Sequence, residues 1–256
     1  MTERTKLTFL GTGTSQGVPM IGCDCDVCRS SDPRDKRLRS SVLVEHEGLT
    51  ILVDAGPDFR QQMLRAGVSH LDAILLTHNH KDHTGGLDDI RAFNYLEKQA
   101  THIYCEKYVE DSLRMEYSYA FAEKKYPGAP EWEVHEIDDK PFNINGVEII
   151  PIRGRHYRLP VLGFRFGNIA YCTDMNHIPE EEFSKLQGLD HFIINTVRYG
   201  SHISHFALDE AVAVARKVGA KHSWLTHLSH QLPCYSKLES ELPTGILPAY
   251  DGLILE

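Results

Sequence analysis

Four potential metal ligands fall within six residues in the segment His78-Asn79-His80-Lys81-Asp82-His83, which follows Thr77 and the apolar run Ala73-Ile74-Leu75-Leu76. An apolar run of this length, bounded by polar residues, reads as a buried strand. A strand that ends in a ligand cluster constrains the fold, because the chain must bring further ligands to the same point from elsewhere. If the backbone stays extended past the strand end, His78 and His80 project to one side, since side chains repeat every second residue. Both imidazoles then address one ion. Asp82 and His83 are adjacent and address a second point, which suggests a dinuclear site. Gly85-Gly86 follows, where the absence of a side chain lets the backbone turn tightly and approach the site closely.

Two five- or six-coordinate ions need more ligands than this segment holds, and three later strand ends offer them. His156 lies in Gly154-Arg155-His156-Tyr157, beyond a strand read over Val147-Ile152. Asp174 follows the apolar run Ile169-Ala170-Tyr171-Cys172-Thr173, and His227 follows Ser223-Trp224-Leu225-Thr226. Loops at strand ends carry functional side chains on a rigid scaffold. One polar residue in such a place is ordinary, whereas four strand ends that all deliver ligands form a pattern.

Strands are also expected at Lys6-Leu10, Ser41-Glu45, Thr50-Val53, Thr101-Cys105, Leu162-Phe166, His191-Asn195 and Leu253-Leu255. Gly167-Asn168 is a two-residue hairpin turn between two of the strands. Helices are expected at Pro57-Arg65 (closed by Gly67), Lys107-Tyr119, Pro179-Leu186 and Ala207-Val218. In the last of these, Leu208, Ala211, Val212, Ala215 and Val218 form one apolar stripe. Each half begins strand-rich and ends in helix–strand units. Two mixed sheets packed face to face, with helices outside, accommodate this order.

Three of the six cysteines crowd into Cys23-Asp24-Cys25-Asp26-Val27-Cys28. Disulfide frameworks spread their cysteines to close loops, whereas metal sites cluster them. Cys105 and Cys172 lie in apolar strands and read as core thiols. Gly11-Thr12-Gly13-Thr14-Ser15-Gln16-Gly17 follows a strand, but its third glycine comes one place late for a dinucleotide fingerprint and no helix follows. These glycines are expected to allow tight turns near the metals.

A formal net charge of -9 argues against a nonspecific polynucleotide binder, which would carry a basic face. The charged stretch Arg29 to Arg37 mixes both signs and reads as solvated. No run approaches the roughly 18 apolar residues that a membrane span needs. The N-terminal run is too short for a signal peptide's apolar core. A cytoplasmic location is the expectation.

The order His-x-His-x-Asp-His, then His156, Asp174 and His227, resembles the metallo-β-lactamase superfamily across nearly the whole chain. Gly11 to Pro19, the Cys-x-Cys-x-x-Cys cluster and Thr226-His227-Leu228-Ser229-His230 are similar to the branch that contains the phosphoribosyl cyclic phosphodiesterase of phosphonate breakdown. The resemblance implies an α+β fold, an αββα sandwich of two mixed sheets, formed by residues 1–256 as one metallo-hydrolase domain with a zinc-binding insertion at about 20–39. It implies that His78, His80 and His156 hold one ion, that Asp82, His83 and His227 hold the other, and that Asp174 bridges them. This set of imidazoles and carboxylates suits Mn²⁺ or Zn²⁺. It also implies a structural zinc on Cys23, Cys25, Cys28 and His230, since such a site wants four ligands.

By the same resemblance His205, before the helix at Ala207, protonates the leaving oxygen, with His202 near enough to exchange for it. Asp82 joins it among the catalytic residues. Arg158 and Arg198 are basic residues near ligand segments, suited by charge to a second phosphate. The expected reaction is hydrolysis of a small, cyclic phosphodiester. The alternatives are a tRNA 3′-processing endonuclease and a non-hydrolytic protein like that of pyrroloquinoline quinone biosynthesis. The acidic chain lacks the basic arm that tRNA would need, and the full ligand set favours catalysis. The expected partners are a small phosphodiester and a second copy as a homodimer, with neither polynucleotide nor membrane.

Overall fold

The computed structural model describes residues 5–256. Its strands divide between two sheets almost in chain order. The first sheet takes β1 (Lys6–Gly11), β2 (Ser41–His46), β3 (Leu49–Val53), β4 (Ala73–Leu75), β5 (Thr101–Cys105) and β6 (Trp132–Glu136). The second takes β7 (Phe142–Ile144), β8 (Val147–His156), β9 (Leu159–Phe166), β10 (Ile169–Cys172), β11 (His191–Asn195), β12 (His222–Thr226) and β13 (Ile246–Pro248). The last strand, β14 (Ile254–Leu255), returns to pair with β1. Both sheets are mixed. In the first, β3 to β6 run parallel, and in the second β10 to β13 do.

The helices are α1 (Asp26–Arg29), α2 (Phe59–Ala66), α3 (Lys81–Thr84), α4 (Arg91–Glu97), α5 (Lys107–Glu116), α6 (Leu208–Val218) and α7 (Tyr235–Glu241). Leu7, Phe9, Val44, Ile51, Phe164, Phe166 and Tyr171 fill the space between the sheets. Phe59, Leu52, Ile103 and Leu113 pack on the outer side of the first sheet, and Phe192, Ala211 and Leu225 on the outer side of the second. The leucine, isoleucine, valine and phenylalanine side chains among them each contribute about 1.5–3 kcal/mol when removed from water. The expected sandwich of two mixed sheets between helical layers is the observed one.

The differences are local. Strand β8 continues to His156 because it pairs with β9 as far as His156↔Leu159, so this ligand ends a strand instead of standing in a loop. The segment Glu180–Leu186 is a 3₁₀ helix, not an α-helix. There the Glu182 carboxylate is drawn to the Arg153 amide at 2.7 Å and to Lys185. Helix α5 stops at Glu116, and a separate 3₁₀ turn covers Ser118–Ala120. Strands β6, β7 and β13 and helices α4 and α7 were not expected.

Candidate metal centre

The parallel strands of both sheets deliver their C-terminal ends to one edge of the sandwich. From the first sheet come Asp54, directly after β3, and the segment that follows β4. His80 is still extended (φ -67, ψ 151) and occupies the cap position of α3, so Asp82 and His83 lie in the first helical turn. From the second sheet come His156 at the end of β8, Asp174 after β10 and His227 after β12.

These side chains form two groups. His78, His80 and His156 each present a ligand atom within 4.8 Å of the others, and so do Asp82, His83, Asp174 and His227. Asp174 joins them, because it also lies within 4.8 Å of the His156 and His205 nitrogens. Its Oδ2 is 3.2 Å from His83 Nε2 and 3.2 Å from His227 Nδ1, and its Oδ1 is 3.7 Å from His205 Nδ1. All seven expected ligands therefore converge.

The far edges of the rings are held by the protein. His156 donates Nδ1–H to the Ser204 carbonyl at 2.8 Å, which leaves Nε2 as its free lone pair. The Thr77 hydroxyl donates to Asp54 at 2.9 Å and accepts from His78 Nδ1 at 2.9 Å. Asp54 also takes the Thr77 amide at 2.9 Å and His83 Nδ1 at 2.6 Å. His227 differs, because its Nδ1, which faces Asp174, also lies 3.1 Å from the Ser40 hydroxyl, and that hydroxyl donates to the Gly13 carbonyl at 3.0 Å. Such outer partners fix ring orientation and tautomer at metal sites. The Gly-rich run thus reaches His227 through the Gly13 carbonyl and the Ser40 hydroxyl.

Two observations test whether these residues suit metal ions. His78 Nε2 and His83 Nε2 are fully buried without a hydrogen bond among the described residues, although His83 Nε2 faces two carboxylates at 3.2 Å. Buried nitrogens left unpaired are costly, and divalent cations between these imidazoles and carboxylates would satisfy them. Ionisation agrees. Burial opposes a charge on His83, but Asp174, Asp82 and Asp54 outweigh it and push the pKa well above the usual value. Burial also opposes a charge on Asp174, yet His227 and His83 hold it well below the usual carboxylate range. His78, His156 and His227 are driven down, chiefly by burial. The site thus carries concentrated negative charge, with His83 protonated in the metal-free protein and His78, His156 and His227 neutral, a donor set suited to divalent cations.

The backbone is strained where the ligands attach. Asp54, Asp174 and His227 have φ values of 64, 56 and 56, in the left-handed region that non-glycine residues seldom enter. The glycines act through space more than through turning. A Cβ on Gly86 would sit 2.1 Å from the Gly56 carbonyl oxygen, and one on Gly56 would sit 1.9 Å from that of Asp82. The loop after β3 therefore lies directly on the ligand segment, where the Ala55 amide donates to the His83 carbonyl at 2.8 Å.

The cysteine cluster also assembles. Cys23, Cys25, Cys28 and His230 have donor atoms within 4.8 Å of one another, with His230 Nδ1 at 3.2 Å from Cys23 Sγ and 3.5 Å from Cys25 Sγ. A tetrahedral zinc, with Zn–S about 2.3 Å and Zn–N about 2.0–2.1 Å, sets its ligand atoms roughly 3.5–3.8 Å apart. The Cys28 backbone amide and His230 lower the Cys25 thiol to about 6, while burial pushes Cys28 up to about 11. The insertion is braced on α7, where Asp35 accepts the Tyr235 amide at 2.8 Å and Arg34 lies 4.0 Å over the Tyr235 ring.

His205 stacks on His227 at 4.9 Å and meets His156 edge-on at 4.5 Å. Its Nδ1 is buried with no hydrogen-bond partner among the described residues, and burial takes its pKa down to about 3. His202 lies one layer further out, 5.0 Å from the His205 ring. Arg198 is turned toward the Ser201 carbonyl at 2.7 Å, and Arg158 lies over Tyr157. Neither arginine contacts the ligand groups. Asp54 and Ser40 were missed by sequence reasoning. The only sequence signal for Asp54 was an acid placed directly after an apolar run, as at Asp174.

Residues 50–228 match the model of the β-lactamase superfamily domain. The chain belongs to the β-lactamase superfamily. A crystal structure described as a new diphosphatase from the PhnP family is 41% identical, covers 100% of this chain and 98% of its own, and superposes with a TM-score of 0.93. This superfamily member is accordingly of the PhnP-like branch. An octanoyltransferase of Porphyromonas gingivalis is 44% identical over 96% of this chain and 50% of its own length. A protein B of coenzyme PQQ synthesis from Methylobacterium nodulans is 35% identical over 36% of each chain. The chain spans half or less of the length of these curated relatives. Zinc-bound PqqB from Methylobacterium extorquens, 19% identical with a TM-score of 0.79 over 98% of this chain and 99% of its own, shares the fold.

Proposed function

We propose that the chain is a metal-dependent phosphohydrolase that cleaves a small phosphodiester, with a cyclic phosphate as the first candidate. The observation that carries this reading is the position of Asp174, whose carboxylate lies within ligand distance of both donor groups. Divalent cations bound there would supply Lewis acidity and an acidified water at neutral pH. The chain's own residues then orient and protonate. Asp54, Thr77, Ser204 and Ser40 hold the imidazoles in place, so little reorganisation accompanies reaction. His205, neutral in the free protein, would gain its proton as an anionic substrate binds and would pass it to the departing oxygen.

A second reading is hydrolysis of a diphosphate, which needs the same site. It is favoured by the 41% identical neighbour described as a diphosphatase. Acyl transfer, the activity in the name of the Porphyromonas gingivalis relative, has less support, since this chain accounts for 50% of that protein. It would need a thiolate or a comparable nucleophile at the site. Burial pushes the Cys105 thiol up to about 12 and that of Cys172 higher still, burial also raises Cys234, and Cys23, Cys25 and Cys28 cluster with His230. Fold alone does not choose among substrates.

The test is turnover of metal-reconstituted protein on a panel: a ribose cyclic phosphate, 2′,3′-cyclic nucleotides, a dinucleoside diphosphate, a precursor tRNA and an octanoyl thioester. Ring opening that is lost in Asp174→Ala supports the first reading. Cleavage of the diphosphate alone moves the assignment to the second. Activity confined to tRNA or thioester overturns both.

A further inference from the structure

A separate cluster of ligand-type side chains lies on the first sheet. His102 on β5 is in register with Glu133 on β6, and Tyr104 with His135. Residues two apart on a strand share a face, so His102, Glu133 and His135 project together. His102 Nδ1 is 2.9 Å from His135 Nε2, and the Glu133 carboxylate lies 3.6 Å from the first nitrogen and 3.7 Å from the second. A tetrahedral ion with metal–nitrogen bonds of about 2.0–2.1 Å requires donor atoms roughly 3.3 Å apart. The three observed separations bracket that value.

We propose that His102, Glu133 and His135 bind one borderline divalent cation of the Zn²⁺, Ni²⁺ or Cu²⁺ class, in a site distinct from the two groups at Asp174 and from the cysteine cluster. Two imidazoles and one carboxylate match the preferences of that class. The site is preorganised on its inner side. The Tyr104 ring stacks on His135 at 4.5 Å and is itself backed by Phe142 at 5.5 Å, which fixes the His135 rotamer. The outer side is open to solvent, leaving a fourth position for water.

The location separates this site from the catalytic edge. His102 starts near the N-terminal end of β5, next to Ile103, which is level with Ile74. His78 lies beyond the opposite end of β4, on the order of 15 Å along the strand direction at ~3.3 Å per residue. Strand β6 is the edge of its sheet. An ion held by His102 and His135 would tie that edge strand to β5 across the face of the sheet.

The experiment uses holoprotein loaded with Zn²⁺ and then passed over a chelating resin, which strips the weakly held ion from this solvent-open, three-ligand site, and the Zn²⁺ that remains is counted before titration. The protein is titrated with Ni²⁺ by calorimetry, and bound Ni²⁺ and Zn²⁺ are both counted after gel filtration. Wild type should take up one equivalent of Ni²⁺ with no loss of Zn²⁺, and its melting temperature should rise with Ni²⁺ as ligand linkage requires. His102→Ala and His135→Ala should take up none and show no rise, while Glu133→Gln should bind more weakly. The replaced side chains are half-exposed, so the variants should melt like wild type without Ni²⁺. Retained uptake in both alanine variants would overturn the proposal, as would uptake matched by loss of Zn²⁺ or no uptake by wild type.

Discussion

Asp54 is the most informative residue to perturb, because it touches neither group's centre yet supports both. Three donors converge on its two oxygens: the Thr77 amide and hydroxyl and His83 Nδ1. Asp54→Asn keeps the shape but offers one acceptor oxygen. If that oxygen stays with Thr77, the amide nitrogen faces His83 Nδ1. The His83 proton then shifts to Nε2, which removes the lone pair aimed between Asp82 and Asp174. Losing an outer partner of a metal-bound imidazole typically costs about 10–100-fold in metal affinity, or about 1.4–2.7 kcal/mol. The range for a hydrogen bond to a charged group, about 1.5–3 kcal/mol, agrees. The ion on the His83 side should be weakened by that factor, and the His78 side less, since His78 is reached only through Thr77. Asp54→Ala would leave all three buried donors unpaired at about 1–3 kcal/mol each, comparable to a total stability of about 5–15 kcal/mol. It should therefore fail to fold, which makes the asparagine variant the useful one. The assay is competition with a chromophoric chelator at fixed pH, followed over both ions, with turnover measured in parallel. Binding curves that superimpose on wild type would refute the argument.

Cys25→Ser should lose one tightly held zinc and lower the melting temperature, because structural zinc contributes folding free energy directly; unchanged zinc content and melting would sink the assignment. His205→Ala should leave metal content intact and slow turnover by roughly 10²–10⁴-fold, with a smaller deficit on a nitrophenolate leaving group. A larger, leaving-group-dependent deficit in His202→Ala would move the acid to His202. His70 sits between Asp72 at 3.2 Å and Glu97 at 3.1 Å, and although burial opposes it, these carboxylates raise its pKa. Its contribution is therefore complete below the unfolded value near ~6.5 and lost as pH climbs through the raised folded value. Since its side chain is 50% exposed, His70→Gln should cost less than about 1 kcal/mol at acid pH and nothing in alkali, as read by urea denaturation; a cost that grows with pH would contradict this.

Much of the fold was legible because its strands are apolar runs with clear ends. The strands that escaped notice are short or lie at edges. Strand β6 is Trp-Glu-Val-His-Glu with only Trp132 buried, and β7 and β13 have three residues each. Strand β6 has too little apolar content, and β7 and β13 too few residues, to stand apart from loops, and pairing across the sheet supplies what sequence does not. The ligand-type side chains that converge were legible because His-x-His-x-Asp-His is dense, and the later ones because each follows a buried run. Asp54 follows such a run too, but its meaning depends on β3 lying parallel beside β4, with Val53 level with Leu75. That register brings it to Thr77, and no local pattern states it. Ser40 is hidden for the same reason, since its partners Gly13 and His227 are distant in the chain.

The left-handed backbone at Asp54, Asp174 and His227 limits what natural variation could place there. Aspartate, asparagine and histidine are the side chains most tolerant of that conformation after glycine. Glycine would relax the chain but carry no ligand. Glutamate, an equal donor in chemical terms, would meet the backbone penalty and add a methylene in a space that has none to spare. The vocabulary of these three positions is thus narrowed by φ before any ion is considered. A chain that replaced Asp174 by glutamate would need to rebuild the turn after β10, and its carboxylate would no longer reach both donor groups from one backbone position.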